Sequence, residues 1–208
     1  QTSAFNFREI MDGKKILLVN LAKGRLGDIN SHLLGLIIVG KFLMAALSRV
    51  DAIGTNFPPF YLYIDEFQNT TTPSIATILS EARKYRLSLT IAHQFIKQLT
   101  DEIKDAVFGN VGSIATFRVG AEDAEYLKSH FEPVFAPTDI MNLDNYNAYL
   151  RLLVKGQPAK PFNIKTLPAP SGDPRMVDKL KELSYLTYGR PREEVEEEIM
   201  ERYRSPAL

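Results

Sequence analysis

The sequence predicts an α/β fold, in which a mostly parallel sheet is covered by helices on both faces. Short apolar runs typical of strands alternate along the chain with helical patterns, and the connections between them are short. Parallel strands require crossover connections, and helices are the usual crossover. A chain of 208 residues is long enough for one well-packed domain with an appendage.

The first predicted elements are a strand and a long helix. Residues 15–21 form a short apolar run, typical of a strand that is buried on both faces. Two glycines interrupt the chain, and the helix that follows runs to about Arg49. This helix is apolar nearly all round, so we expect it to be covered on several sides. Its apolar stretch 33–47 contains Lys41 and is too short to span a bilayer, which predicts a core helix and no membrane segment.

The middle of the chain continues the alternation. We predict strands at 60–64, 87–92 and 113–119, and helices from about Pro73, at about 101–108 and at 122–130. Aromatic and aliphatic side chains make up the strand at 60–64, and Pro73 is a favourable residue for the first turn of a helix.

The C-terminal part has a different character. Residues 146–154 and 161–164 are typical of an antiparallel hairpin at one edge of the sheet. Two short amphipathic helices follow, at 176–188 and 193–203. We therefore divide the chain into a core domain at 1–167, a linker at 168–175 and a helical extension at 176–208.

The composition excludes several classes of function. Lys plus Arg number 25 and Asp plus Glu also number 25, so the net charge gives no argument for wrapping nucleic acid. The absence of Cys excludes disulfides and Cys-based metal sites, and it is compatible with a reducing cytosol. His32, His93 and His130 are too scattered for metal-ligand spacing. Neither a Gly-x-Ser-x-Gly motif nor a Cys nucleophile is present, so serine and cysteine hydrolase chemistry has no support, and without a His pair at ligand spacing zinc chemistry has none either.

The strongest chemical signal is the pair of adjacent carboxylates Asp65 and Glu66, directly after the strand at 60–64. In an open α/β sheet, ligands bind outside the carboxyl ends of the strands. Adjacent acids repel each other unless a cation or exposure relieves them. A hydrated magnesium ion would do so, and phosphoryl transfer also needs a carboxylate that orients the attacking water. The alternative is a strand that simply ends in two solvated residues.

Two further residues are candidates for the same site. The strand 87–92 ends in His93 and Gln94, and the Gln94 amide could reach a γ-phosphate or a water at the same sheet edge. Alternatively, Gln94 is a turn residue; for His93 we expect a partly buried ring with a backbone partner. Arg83 has two interpretations. It either matches the dipole of its helix, or it enters the nucleotide site of a neighbouring subunit, where such an arginine raises the rate of phosphoryl transfer by about 10³–10⁵-fold.

These segments carry a family resemblance. Phe60–Asn69, together with 80–89 and 91–94, resembles the Walker B region, finger helix and polar strand end of the FtsK–HerA superfamily of RecA-like ATPases. Within it, the sequence is most similar to type IV secretion coupling proteins, the conjugative DNA-transfer ATPases. The resemblance covers roughly residues 5–167, and its specific parts are the acidic pair and 83–94.

The resemblance implies roles and partners. Asp65 would hold magnesium through water, Glu66 would orient the hydrolytic water, Gln94 would sense the γ-phosphate, and Arg83 would act in trans. It also implies ATP and Mg as cofactors, a hexameric homo-oligomer, DNA as cargo, and contacts with secretion-system components. We expect a cytoplasmic protein, either free or held at the inner face of the membrane by segments outside this chain.

The P-loop of the family, Gly-x-x-x-x-Gly-Lys-Ser/Thr, is missing. The pattern at 35–41 is followed by Phe42 and lies in a continuous apolar helical run, so we interpret it as spurious. We expect this loop upstream of Gln1, so that the chain is the C-terminal part of an ATPase core and is inactive alone. Two alternatives stay open: a non-catalytic RecA-like interaction module, and a secretion-assembly ATPase that moves protein.

Overall fold

The structure is a computed structural model that describes residues 4–51, 56–70 and 73–204. Phe7–Pro168 forms one compact unit, and the other described residues form a second. The domain limits at 1–167, 168–175 and 176–208 stay predictions.

Helices make up much of both units. The larger unit contains α1 (Phe7–Asp12), α2 (Lys23–Leu26), α3 (Asp28–Leu47), α4 (Pro73–Glu81), α5 (Asp101–Asn110), α6 (Ala121–Phe131) and α7 (Pro137–Met141). Short 3-10 turns occupy Ser48–Asp51, Phe67–Thr70, Ala82–Tyr85 and Ile96–Gln98. The second unit contains α8 (Pro174–Tyr188) and α9 (Arg192–Arg204). The helices predicted from the periodicity are therefore confirmed.

The strands form one parallel and two antiparallel sheets. They are β1 (Phe60–Ile64), β2 (Leu87–Ile91), β3 (Ile114–Thr116), β4 (Asn147–Arg151), β5 (Leu153–Val154), β6 (Gln157–Pro158) and β7 (Phe162–Lys165). β1 pairs in parallel with β2, whereas β4 lies between β3 and β7 with antiparallel pairing, and β5 pairs with β6. The α/β class and the antiparallel hairpin are confirmed. In the described residues the parallel part is small, because β3 joins the antiparallel sheet.

The predicted strand at 15–21 is wrong. This segment has no strand structure, and Ile16 and Leu18 are 90% and 81% exposed. Leu17 alone of these three packs against the core. An apolar run becomes a strand only where a neighbouring strand satisfies its backbone groups, and none of the described strands pairs with this segment.

The long helix α3 is buried on one face and exposed on the other. Its buried face supplies core residues that pack with β1, β2, α4 and α5, namely Val39, Phe42, Leu43 and Ala46. On the opposite face, Ile29, Leu33 and Met44 are 82%, 52% and 64% exposed, so the expected covering on several sides is not observed. By length and composition alone, Asp28–Val50 passes as a membrane span, the one such helix among the described residues; 39% of its apolar window is buried.

Candidate functional site

The carboxyl ends of β1 and β2 lie side by side. The two strands are in parallel register, with Ile64 opposite Ile91. The hydrogen-bond ladder continues beyond them, because the Ala92 N–H donates to Ile64 O and the Phe67 N–H donates to Ala92 O, both at 2.9 Å. The polar residues that follow the two strands therefore share one rim of the sheet.

Asp65, Glu66 and Gln94 come together at this rim. Gln94 Nε2 donates to Glu66 Oε1 at 2.6 Å, and the Glu66 N–H donates to Asp65 Oδ1 at 2.9 Å. Glu66 has a φ of 49°, a left-handed backbone conformation that is uncommon for residues other than glycine and that clusters at functional sites. The structure thus joins the three side chains that the sequence placed at one edge, while their roles stay predictions.

Gln68 is a site residue that the sequence analysis missed. Its Nε2 donates to Glu66 Oε2 at 2.6 Å, so each oxygen of the Glu66 carboxylate accepts from a different amide. Gln68 lies in the 3-10 turn Phe67–Thr70, directly after the acidic pair. Its place two residues beyond Glu66 was the available signal, but only the tight turn brings the amide back to the carboxylate.

Helices α2 and α3 hold this turn in place. Lys23 Nζ donates to Asn69 Oδ1 at 3.1 Å, and His32 Nδ1 contacts the Asn69 carbonyl oxygen. Within the turn, the buried Thr70 hydroxyl donates to Phe67 O at 3.2 Å. Phe67 is itself fully buried. The turn is therefore fixed from the core side and from the helix side.

The rim borders a large cavity within the same unit. The cavity has a volume of about 1490 Å³ and is lined by residues 14–23, α3, β1 and the polar residues of the rim. Asp65, Glu66, Asn69 and Gln94 line it at the carboxyl end of β1. Ligand cavities commonly measure about 300–1,000 Å³, so the space beside these side chains is sufficient for a nucleotide-sized ligand.

Arg83 is not brought to this rim. It is exposed on the 3-10 turn Ala82–Tyr85, which precedes the amino end of β2. The five residues of β2 therefore separate Arg83 from Gln94, a distance of roughly 16 Å along the strand. Arg83 is at the wrong end of the sheet to act on the rim of its own chain.

The acids suit a hydrated magnesium ion better than a metal held by protein groups alone. Among the residues that the structure describes, no three His, Cys, Asp or Glu side chains are grouped as metal ligands. Magnesium retains several waters and binds through one or two carboxylates together with substrate phosphates. Asp65 at the rim fits such a contact through water.

His93 is partly buried, as the sequence predicts, but its buried Nδ1 has no hydrogen-bond partner among the described residues, so the expected backbone partner is not observed at this nitrogen. Its ring is half-buried. Burial lowers the pKa of His93, and the charge of Asp123 and a backbone hydrogen bond at Phe95 offset part of that effect. Asp123 is itself buried and accepts from the Ile96 N–H at 3.2 Å.

Comparisons with known proteins show what one segment of the sequence and the fold are similar to. A family described as "TraM recognition site of TraD and TraG" matches residues 59–129 of the 208. The genome packaging NTPase B204 from Sulfolobus turreted icosahedral virus 2, in complex with AMPPCP, aligns at a TM-score of 0.53 and 16% identity, over 81% of this chain and 74% of that chain. The bacterial conjugative coupling protein TrwBdeltaN70 aligns at a TM-score of 0.49 and 17% identity, over 62% of this chain. No curated protein matches the sequence.

The alignments differ in what they cover. B204 shares the fold of this chain, a RecA-like ATPase fold, over most of both lengths. The chain spans 35% of the length of the TrwB structure. The family match includes β1, the acidic pair, Gln68, Arg83 and Gln94. Residues 59–129 are therefore similar to the TraM recognition site of TraD and TraG, and the chain has a RecA-like fold similar to that of B204.

Proposed function

We propose that this chain is part of an ATP-driven DNA translocase of the coupling type, in which Glu66 orients the water that attacks ATP. The contact between Gln94 Nε2 and Glu66 Oε1, 2.6 Å at the shared rim of β1 and β2, carries the proposal. Ligands of open α/β sheets bind at this edge, and phosphoryl transfer depends on a positioned water and nearby charge. B204 was solved with AMPPCP and with ATP-gammaS, which supports a nucleotide at this site.

The remaining roles follow from position. Gln94 can donate to a γ-phosphate or accept from water, since its amide has both functions. Asp65 would hold magnesium through water, and the ion would neutralise charge on the phosphates. Arg83, exposed at the opposite end of β2, suits a role in the site of an adjacent subunit. We propose that the protein works in a hexameric ring, with DNA as cargo and secretion-system components as partners, at the cytoplasmic side of a membrane.

The loop that binds the ATP phosphates would come from outside these 208 residues. The glycine pattern at 35–41 lies inside α3, so it forms no phosphate-binding loop. At Gly35 an added Cβ would meet Thr70 Cγ2 at 2.6 Å, which explains the first glycine by helix packing. We therefore expect the chain alone to bind ATP weakly or not at all.

The first test uses two proteins. The isolated chain, titrated with magnesium and a fluorescent ATP analogue, should show no micromolar binding. Micromolar binding would contradict the proposal that the phosphate-binding part of the site lies outside this chain. In the longer protein that contains this chain, Glu66→Gln should retain ATP binding and lower hydrolysis by about 10²–10⁴-fold. Glu102→Gln, at an exposed position of α5, is the matched control and should hydrolyse ATP at the wild-type rate.

A mixing experiment tests the action in trans. Neither Glu66→Gln nor Arg83→Ala protein should hydrolyse ATP efficiently by itself. When the two are mixed, Arg83 of the first can complete the intact Glu66 site of the second, so activity should return in part. If mixing restores no activity although both variants assemble, the assignment of Arg83 to a neighbour's site is wrong.

The family description also supports a protein-docking function. Residues 59–129 match a family described as a recognition site, and a non-catalytic module would use this region to bind a partner. Such a module would show no ATP hydrolysis that depends on Glu66. A motor that moves protein would hydrolyse ATP, but its affinity for DNA would lack the steep decrease with salt that phosphate contacts produce.

A further inference from the structure

The carboxylate of Glu66 is held from two sides by side-chain amides. Gln94 Nε2 donates to Oε1 and Gln68 Nε2 donates to Oε2, each at 2.6 Å. Gln94 comes from the end of β2, and Gln68 comes from the turn that immediately follows Glu66. We propose that Gln68 is a positioning residue that fixes the plane of the Glu66 carboxylate for attack of water on ATP. This inference rests on the proposed function of Glu66.

The two amides differ in how firmly their backbones are held. Gln94 is exposed and follows the last residues of the β2 ladder. Gln68 is half-buried, and it follows Phe67, which is fully buried. The N–H of the next residue, Asn69, donates to Glu66 O at 2.9 Å. Lys23 holds the Asn69 side chain from α2. Gln68 is thus attached to a turn packed on the core, whereas the Gln94 side chain is open to the cavity.

Because of this difference, the two amides have different roles in the proposed reaction. If Gln94 turns its amide to a phosphate, as its proposed role requires, Oε1 of Glu66 loses its donor and becomes available to accept from water. Oε2 keeps its hydrogen bond to Gln68, so the carboxylate does not rotate when Gln94 leaves. Positioning of this kind is valuable because a misplacement of about 1 Å can cost about 10²-fold in rate.

The two hydrogen bonds can be tested in the 208-residue chain itself. In spectra of ¹⁵N-labelled protein, both side-chain amides should show slowed exchange with solvent. Glu66→Ala should remove that protection from Gln68 and Gln94, whereas Glu102→Ala should leave it intact. Protection of Gln68 that persists in Glu66→Ala would overturn the inference, because the amide would then have its main acceptor elsewhere.

The positioning role is tested by steady-state ATP hydrolysis in the longer protein. Gln68→Met retains the length of the side chain but has no donor, and it should lower kcat by about 10²-fold with KM unchanged. The loss should not add to that of Gln94→Met, because both act through one carboxylate. Gln98→Met, at an exposed position of another 3-10 turn, is the matched control and should behave as wild type.

The possible failures are distinguishable. If Glu66→Gln is inactive but Gln68→Met retains the wild-type kcat, the positioning role is wrong and the proposed function stands. If Glu66→Gln hydrolyses ATP like wild type, the proposed function fails and the inference fails with it. A lower kcat that is accompanied by an equivalent loss in the free energy of unfolding would indicate a merely structural role for Gln68 and would overturn its positioning role.

Discussion

The Arg49 guanidinium donates to the Asp12 carboxylate at 2.8 Å, and only 1% of the Arg49 side chain is exposed. The same guanidinium donates to Tyr85 O at 2.6 Å. Arg49 therefore ties the C-terminal end of α3 to α1 and to the turn that carries Arg83. A buried charge is stable only when it is paired and hydrogen-bonded, and both conditions are met here.

Replacing Arg49 should destabilise the larger unit strongly. Arg49→Met leaves Asp12 without its buried partner and Tyr85 O without its donor, and removal of one partner of a buried pair costs about 3–5 kcal/mol. We expect a value of about 3 kcal/mol, the lower end, because the Asp12 side chain is 31% exposed and also pairs with Arg8. Urea denaturation of the chain measures this. Arg25→Met, at an exposed position in α2, is the control; an equal loss in both variants would contradict the prediction.

The sequence predicted only those residues of the candidate site that directly follow a predicted strand. Asp65, Glu66 and Gln94 follow strands that the apolar runs identify, and parallel strands bring their carboxyl ends to one edge. Gln68 could not be found in this way, because its contact depends on the direction of a tight turn. Arg49 was visible only as a residue near a helix end, since sequence periodicity does not show long-range ion pairs.

The fold was predictable where the pattern of one segment decides its structure. The helices follow from 3.6-residue periodicity and β1 from its aromatic and aliphatic side chains. Residues 15–21 have an equally apolar pattern, yet they form no strand because pairing depends on a neighbour and not on the segment itself. For the same reason, the sequence could not show that β3 pairs with β4.

His130 should make the chain less stable in mild acid. Burial lowers the pKa of His130, and the positive charge of Arg151 lowers it further. Arg151 Nη1 lies 2.9 Å from His130 Nδ1, and it can donate there only while the imidazole is neutral. As the pH falls below about 6.5, the ordinary value, the unfolded chain takes up this proton before the folded chain does.

The free energy of unfolding should therefore decrease as the pH falls from about 6.5 toward the lowered pKa of His130, and it should be largest above this window. His130→Gln keeps an acceptor for Arg151 but cannot be protonated, so its stability should depend less on pH. Urea midpoints at several pH values measure the difference between the two proteins. Parallel pH curves for wild type and His130→Gln would show that this group does not contribute.

Two glycines of α3 should respond to alanine in opposite directions. A Cβ at Gly35 would lie 2.6 Å from Thr70 Cγ2 and 3.3 Å from Leu21 Cδ1, whereas a Cβ at Gly40 would meet nothing within 4 Å. Thr70 is 7% exposed and its hydroxyl is bonded to Phe67 O, so it has little room to move away. Overpacking of this kind costs about 1–3 kcal/mol, and alanine gains about 1 kcal/mol over glycine in a helix interior.

Gly40→Ala should therefore raise the free energy of unfolding by up to about 1 kcal/mol, while Gly35→Ala should lower it. Because Thr70 closes the turn that carries Gln68, Gly35→Ala should also weaken the contact between the Gln68 amide and Glu66. Side-chain amide exchange of Gln68 should accelerate in Gly35→Ala and stay at the wild-type rate in Gly40→Ala. If Gly35→Ala is as stable as Gly40→Ala and Gln68 remains protected in both, then the close approach of α3 does not hold the turn.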